Sequence, residues 1–138
     1  MRYVLYFPML GLVFVIYNVA MVAGVDFEAN PTMLSIPHLT RAEPTAVGAA
    51  DLMIGVAILL LYFEILKAAR ISRTTIIDHM LSMVVFIAFL IEFIVSAGAG
   101  TATFMLLTLI ALIDVIAGFT ISIVTARRDF AIGGDGIG

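Results

Sequence analysis

Cysteine is absent from this chain, which excludes disulfides, thiolate catalysis, zinc–thiolate sites and iron–sulfur clusters. Tryptophan is absent too, so any aromatic belt at a membrane interface must come from the 4 tyrosines and 10 phenylalanines. Charge is scarce: 12% of residues are charged, where a soluble domain carries about a quarter. The net charge of −3 is small, and no basic face or nucleic-acid motif is present, so nucleic acid is not expected as a partner. There is no nucleophile elbow, Gly-rich phosphate loop, metalloprotease motif or cluster with metal-ligand spacing. The sequence therefore offers no catalytic residue, no metal site and no named cofactor, and a non-enzymatic protein is expected.

What is present is apolar: 63% of the 138 residues are hydrophobic, and the mean hydropathy is +1.20. These residues fall into four runs, 3–24, 48–69, 76–97 and 101–125. Each is long enough to cross a bilayer at about 1.5 Å rise per residue. The expected fold is all-α: an integral membrane bundle of four transmembrane helices in one domain, 1–129, followed by a flexible Gly-rich tail, 130–138. The first run is read as a retained helix. Its apolar length exceeds the roughly 7–15 residues of a signal h-region, although Val22-Ala23-Gly24 has the small residues of a cleavage site.

Residues 25–47 form the long loop, between the first two helices. Pro31, Pro37 and Pro44 break any helical run there. Apolar Met33, Leu34, Ile36 and Leu39 suggest a loop folded back onto the membrane surface. The connections 71–75 and 98–100 are short, as antiparallel neighbours require. Arg2, Lys67, Arg70, Arg73, Arg127 and Arg128 flank one side and Arg41 the other. The positive-inside rule then places both termini in the cytoplasm and the long loop outside.

Inside the spans, Asp114 sits near the middle of the fourth. A carboxylate at that depth costs roughly 2.5–3.5 kcal/mol on insertion scales unless it is partnered, protonated or turned to water or protein. Asn18, Asp51, Glu92 and Asp114 are expected to form a polar series in the outer half, one residue from each helix, and no basic residue lies at those depths to neutralise it. Three readings stand open: a proton or cation site, hydrogen bonds that hold the helices together at about 0.6 kcal/mol each, or a carboxylate facing a basic residue of another subunit. Gly118, one turn beyond Asp114, lets a neighbouring helix come close.

Asp78, His79, Glu64, Lys67, Arg70 and Arg73 mark the cytoplasmic interface. Glu64 and Lys67 are spaced for an i,i+3 ion pair with snorkelling side chains, and Asp78 follows Thr74-Thr75 as in a capping box. His79 suits a structural or headgroup role, with a cofactor- or lipid-binding role as the alternative. The other histidine, His38, belongs to the opposite side.

The segments Tyr62-Phe63-Glu64-Ile65-Leu66-Lys67-Ala68-Ala69-Arg70, Ile77-Asp78-His79-Met80-Leu81-Ser82 and Asp114-Val115-Ile116-Ala117-Gly118-Phe119 resemble a group of small four-helix bacterial inner-membrane proteins. The resemblance covers the second to fourth helices. It implies a multi-pass location in the bacterial inner membrane and carries no activity. The functional expectation is an accessory or assembly subunit, acting as a homo-oligomer or in a larger complex within the lipid bilayer. A small proton- or cation-coupled channel or carrier using Glu92 and Asp114 is the alternative.

Overall fold

The computed structural model describes residues 8–68 and 75–133. Four helices carry the fold: α1 (Met9–Val22), α2 (Ala49–Ala68), α3 (Thr75–Val95) and α4 (Ala102–Gly133). Residues 3–7 of the expected first span lie outside the described residues, as do Arg2, Arg70 and Arg73. Among the described residues two segments, Ala49–Ala68 and Ala102–Val124, are long and apolar enough to cross a membrane. Past Thr125, α4 continues to Gly133, so residues 130–133 of the expected tail are helical.

Contacts at the helix ends fix an alternating up-and-down order. The Met9 amide at the start of α1 donates to Glu64 Oε2 near the end of α2. Tyr17, late in α1, bonds Thr101, which immediately precedes α4. His79, early in α3, packs on Gly118, well along α4. Thus α1 and α3 run one way and α2 and α4 the other. The end carrying the long loop is called the outer end here.

Local chemistry explains where the elements stop. In α1 the Val25 amide reaches back to the Ala20 carbonyl and the Gly24 amide to that of Met21, with Gly24 at φ 90°. This is a Schellman cap, which needs a residue tolerant of the left-handed region. The small-residue triplet Val22-Ala23-Gly24 is therefore a helix terminus. At the start of α4 the Thr101 hydroxyl accepts the Phe104 amide at 3.1 Å, an N-cap bond.

The core is a seam shared by all four helices. Leu10, Val13 and Tyr17 of α1 follow helical i, i+3, i+7 spacing, and so do Phe104, Leu107 and Ala111 of α4. Small Ala50 and Ala57 face it from α2, Phe89 from α3, and Phe27 from the loop. Phe14 meets Phe89 edge-on at 4.9 Å, and Phe89 meets Phe104 at 5.3 Å. Of the two candidate spans, α4 has 44% of its window buried and α2 17%. Hence α4 is the more deeply buried of the two and α2 the more exposed.

The long loop contains structure that its sequence did not announce. Strand β1 (Thr32–Ile36) pairs antiparallel with β2 (Thr45–Gly48), with Leu34 opposite Val47 and Ile36 opposite Thr45. Pro31 and Pro37 bracket β1 and Pro44 precedes β2, positions that need no ladder N–H. The prolines that rule out helix also bias Ile36 and Glu43, the residues before them, toward extended backbone.

Candidate functional site

The polar groups predicted from sequence separate into three places. At the outer end, Asp51 belongs to a cap assembled from two segments. Gly48 is the N-cap residue of α2 and has no side chain to cap with. Asp51 Oδ2, three residues on, accepts the Gly48 amide at 2.8 Å, half of a capping box. The other half comes from the loop: Asn30 Oδ1 accepts the Ala50 amide at 2.9 Å, and Asn30 Nδ2 donates to Asp51 Oδ2 at 3.0 Å. The Pro31 carbonyl accepts the Ala49 amide. Asn30 sits at φ 45°, a conformation asparagine tolerates better than most residues.

Just inside this end lies an outer polar tier. Asn18 Nδ2 donates to Glu92 Oε2 at 3.1 Å and to the Phe14 carbonyl at 3.0 Å. Asn18 and Glu92 thus meet across α1 and α3, as their depths implied. Next to them the fully buried Tyr17 hydroxyl shares a hydrogen bond with Thr101 Oγ1 at 2.9 Å, and its ring stacks on Phe27 at 4.3 Å. Tyr17 and Thr101 escaped the sequence reading. The available signal was a Thr directly before an apolar run, an N-cap pattern.

Asp114 is not part of this tier. It lies about 20 Å along α4 from Thr101 at 1.5 Å per residue. It is 6% exposed. One turn further on, Gly118 leaves room for the His79 ring: a Cβ at Gly118 would overlap the imidazole. Asp114 and Gly118 share one face of α4 at i, i+4 spacing. His79 is 8% exposed, and Ser82 is buried three residues after it on α3. His79 is therefore held between α3 and α4.

Glu64 also belongs to the inner half. It forms the expected i,i+3 ion pair, with Lys67 Nζ to Oε1 at 2.7 Å. The pair is not a surface one, however: Glu64 is 3% exposed and faces the bundle in register with Ala50 and Ala57, fourteen and seven residues earlier. Its second oxygen takes the Met9 amide, so the carboxylate ties α1 to α2. The Asp78 side chain lies outside the described residues.

Between the two tiers the described buried side chains are mainly apolar, and the buried Thr108 hydroxyl there donates to the Phe104 carbonyl of its own helix. Val13, Phe89, Phe104, Leu107, Ile110 and Ala111 are all buried there. The cavity described lies at the outer end, a cleft of about 250 Å³ open to solvent and lined by Tyr17, Met21, Asp26, Phe27, Glu28 and Thr101. Asp26 spends one oxygen on the Glu28 and Ala29 amides of its own turn. No group of three His, Asp or Glu side chains suited to a metal occurs among the described residues. No family model, curated protein or solved structure matches the chain.

Proposed function

We propose that the chain is a four-span membrane protein of the bacterial inner membrane, with both termini in the cytoplasm. In this reading it works without catalysis as an accessory or assembly subunit, or as a homo-oligomeric scaffold. The observation that carries the reading is the separation of two polar tiers by a mainly apolar layer, in which the buried Thr108 hydroxyl is spent on its own helix backbone. A carrier needs a polar route from one side to the other. Here Phe14, Phe89 and Phe104 pack ring against ring beneath the Asn18–Glu92 pair. Glu92 and Glu64 are each engaged by a neighbouring helix, the arrangement of interhelical clamps. The weakly buried α2 adds a broad apolar face, with Leu52, Val56, Leu59 and Phe63 exposed, available to lipid or to another subunit.

The test is purification in mild detergent followed by reconstitution into vesicles. The expected result is a closed oligomer or a stoichiometric protein partner, with proton leakage equal to that of protein-free vesicles. Proton flux that disappears in Glu92→Gln or Asp114→Asn would overturn the reading in favour of a carrier. That competing reading draws on Asp114 and His79, two buried titratable groups on the α3–α4 seam.

A further inference from the structure

The hairpin at the outer end is apolar, exposed and tied at its base. All five residues of β1 are solvent-facing, with Met33, Leu34 and Ile36 at 66%, 50% and 47%, and Leu39 beyond it is fully exposed. A two-stranded hairpin on its own is marginal in water and needs another surface to cover it. Its base is tied to the bundle through the Asn30–Asp51–Ala50 hydrogen bonds and the Pro31–Ala49 bond. Those bonds set the hairpin's position relative to the first turn of α2.

That position decides what covers it. Helix α2 has 20 residues, about 30 Å of rise, which equals the hydrocarbon thickness of a bilayer. Ala49 then stands at the outer edge of the hydrocarbon, and β2, which ends at Gly48, begins there without a linker. The hairpin leads straight into α2, whose exposed apolar surface starts at Leu52. Along β1 and β2 there is no charged residue; Arg41 and Glu43 are confined to the segment joining the strands. We infer that the β1–β2 hairpin is an interfacial anchor: Leu34, Ile36 and Leu39 enter the headgroup region of the outer leaflet. The partner is therefore a lipid surface. The inference rests on the membrane reading above.

The natural lack of cysteine makes the test clean. Single variants Leu34→Cys, Ile36→Cys and Leu39→Cys carry a polarity-sensitive fluorophore. Ile58→Cys on the exposed face of α2 serves as the control. Each is reconstituted in phosphatidylcholine vesicles containing a minority of phosphatidylglycerol. Quenching is read with aqueous iodide and with lipids bearing nitroxides at the headgroup or along the chain. Expected are a blue shift and loss of iodide quenching at the hairpin positions, headgroup-nitroxide quenching there, and chain-nitroxide quenching at Ile58→Cys. Iodide quenching of the hairpin with a normal control overturns the inference alone. Shielding from both quenchers that vanishes on dilution in lipid assigns the hairpin to contact between copies, and also overturns it. If Ile58→Cys escapes the chain nitroxides, the membrane reading itself fails. Leu39, which buries nothing, keeps the test decisive should a strand variant misfold.

Discussion

Gly48→Ala tests the two-segment cap of α2. Gly48 has an ordinary negative φ, because Gly24 is the glycine described in the left-handed region. It is glycine for space: an added Cβ would fall into the Asn30 carboxamide, 2.7 Å from Nδ2 and nearer still to Cγ and Oδ1. The methyl must therefore displace Asn30, and the Ala50 amide then loses its acceptor. Losing an N-cap acceptor costs roughly 1 kcal/mol, and forcing a group into a filled site adds about 1–3 kcal/mol. The sum is about 2–4 kcal/mol. In an Asn30→Gly background the obstacle is gone and the φ of residue 30 is relaxed. There Gly48→Ala should cost only the intrinsic preference at an N-cap, roughly 0.5 kcal/mol. The assay is denaturant unfolding in detergent micelles for the two single variants and the double, with hydrogen exchange of the Ala50 amide as the local readout. Gly48→Ala should raise that exchange in the parent but not in Asn30→Gly. Equal costs in both backgrounds, within about 0.5 kcal/mol, would show that Asn30 does not occupy the space and would refute the cap.

Four further outcomes are expected. Gly118→Ala should destabilise by about 1–3 kcal/mol through overpacking against His79, and much less in a His79→Ala background; the same unfolding cycle measures it. Glu64→Ala removes the acceptor of both Met9 and Lys67, and breaking a buried ion pair costs about 3–5 kcal/mol. Thermal unfolding should show that loss, while Glu92→Gln, which keeps an acceptor for Asn18, should stay within about 0.6 kcal/mol of the parent. Tyr17→Phe should lose about 0.5–1.5 kcal/mol, the worth of its bond to Thr101, without loosening α4, since Thr101 still caps Phe104. Oligomeric state should be unchanged in Tyr17→Phe and Glu92→Gln, both interior changes, as light scattering in detergent will check.

The helices were legible because their signal is local. Runs of apolar residues with few charges mark them, and hydropathy alone located the cores of α2, α3 and α4. The Asn18–Glu92 contact was legible too, since alternating helices bring residues of matching depth together. The β1–β2 hairpin was not. Its strands are four and five residues long, and prolines adjoin both, so no period could emerge. The Asn30–Asp51 cap was also hidden, because its members stand 21 positions apart and only the fold places them together.

The same division runs through the polar residues. Composition determined by itself that Asp114, Glu64 and Glu92 are costly in an apolar chain and need partners. It also determined the i,i+3 pairing of Glu64 with Lys67, since that follows from helix pitch. Which way each helix face turns was decided only by packing. Glu64 shares its face with Ala50 and Ala57, whose small side chains let α2 approach the seam, so its carboxylate turned inward where snorkelling side chains were expected. Asp114 is separated from Glu92 for a similar reason. Tyr17 bonding Thr101 fixes the level of α4 against α1, and with that level set, a carboxylate about 20 Å along α4 cannot reach the outer tier.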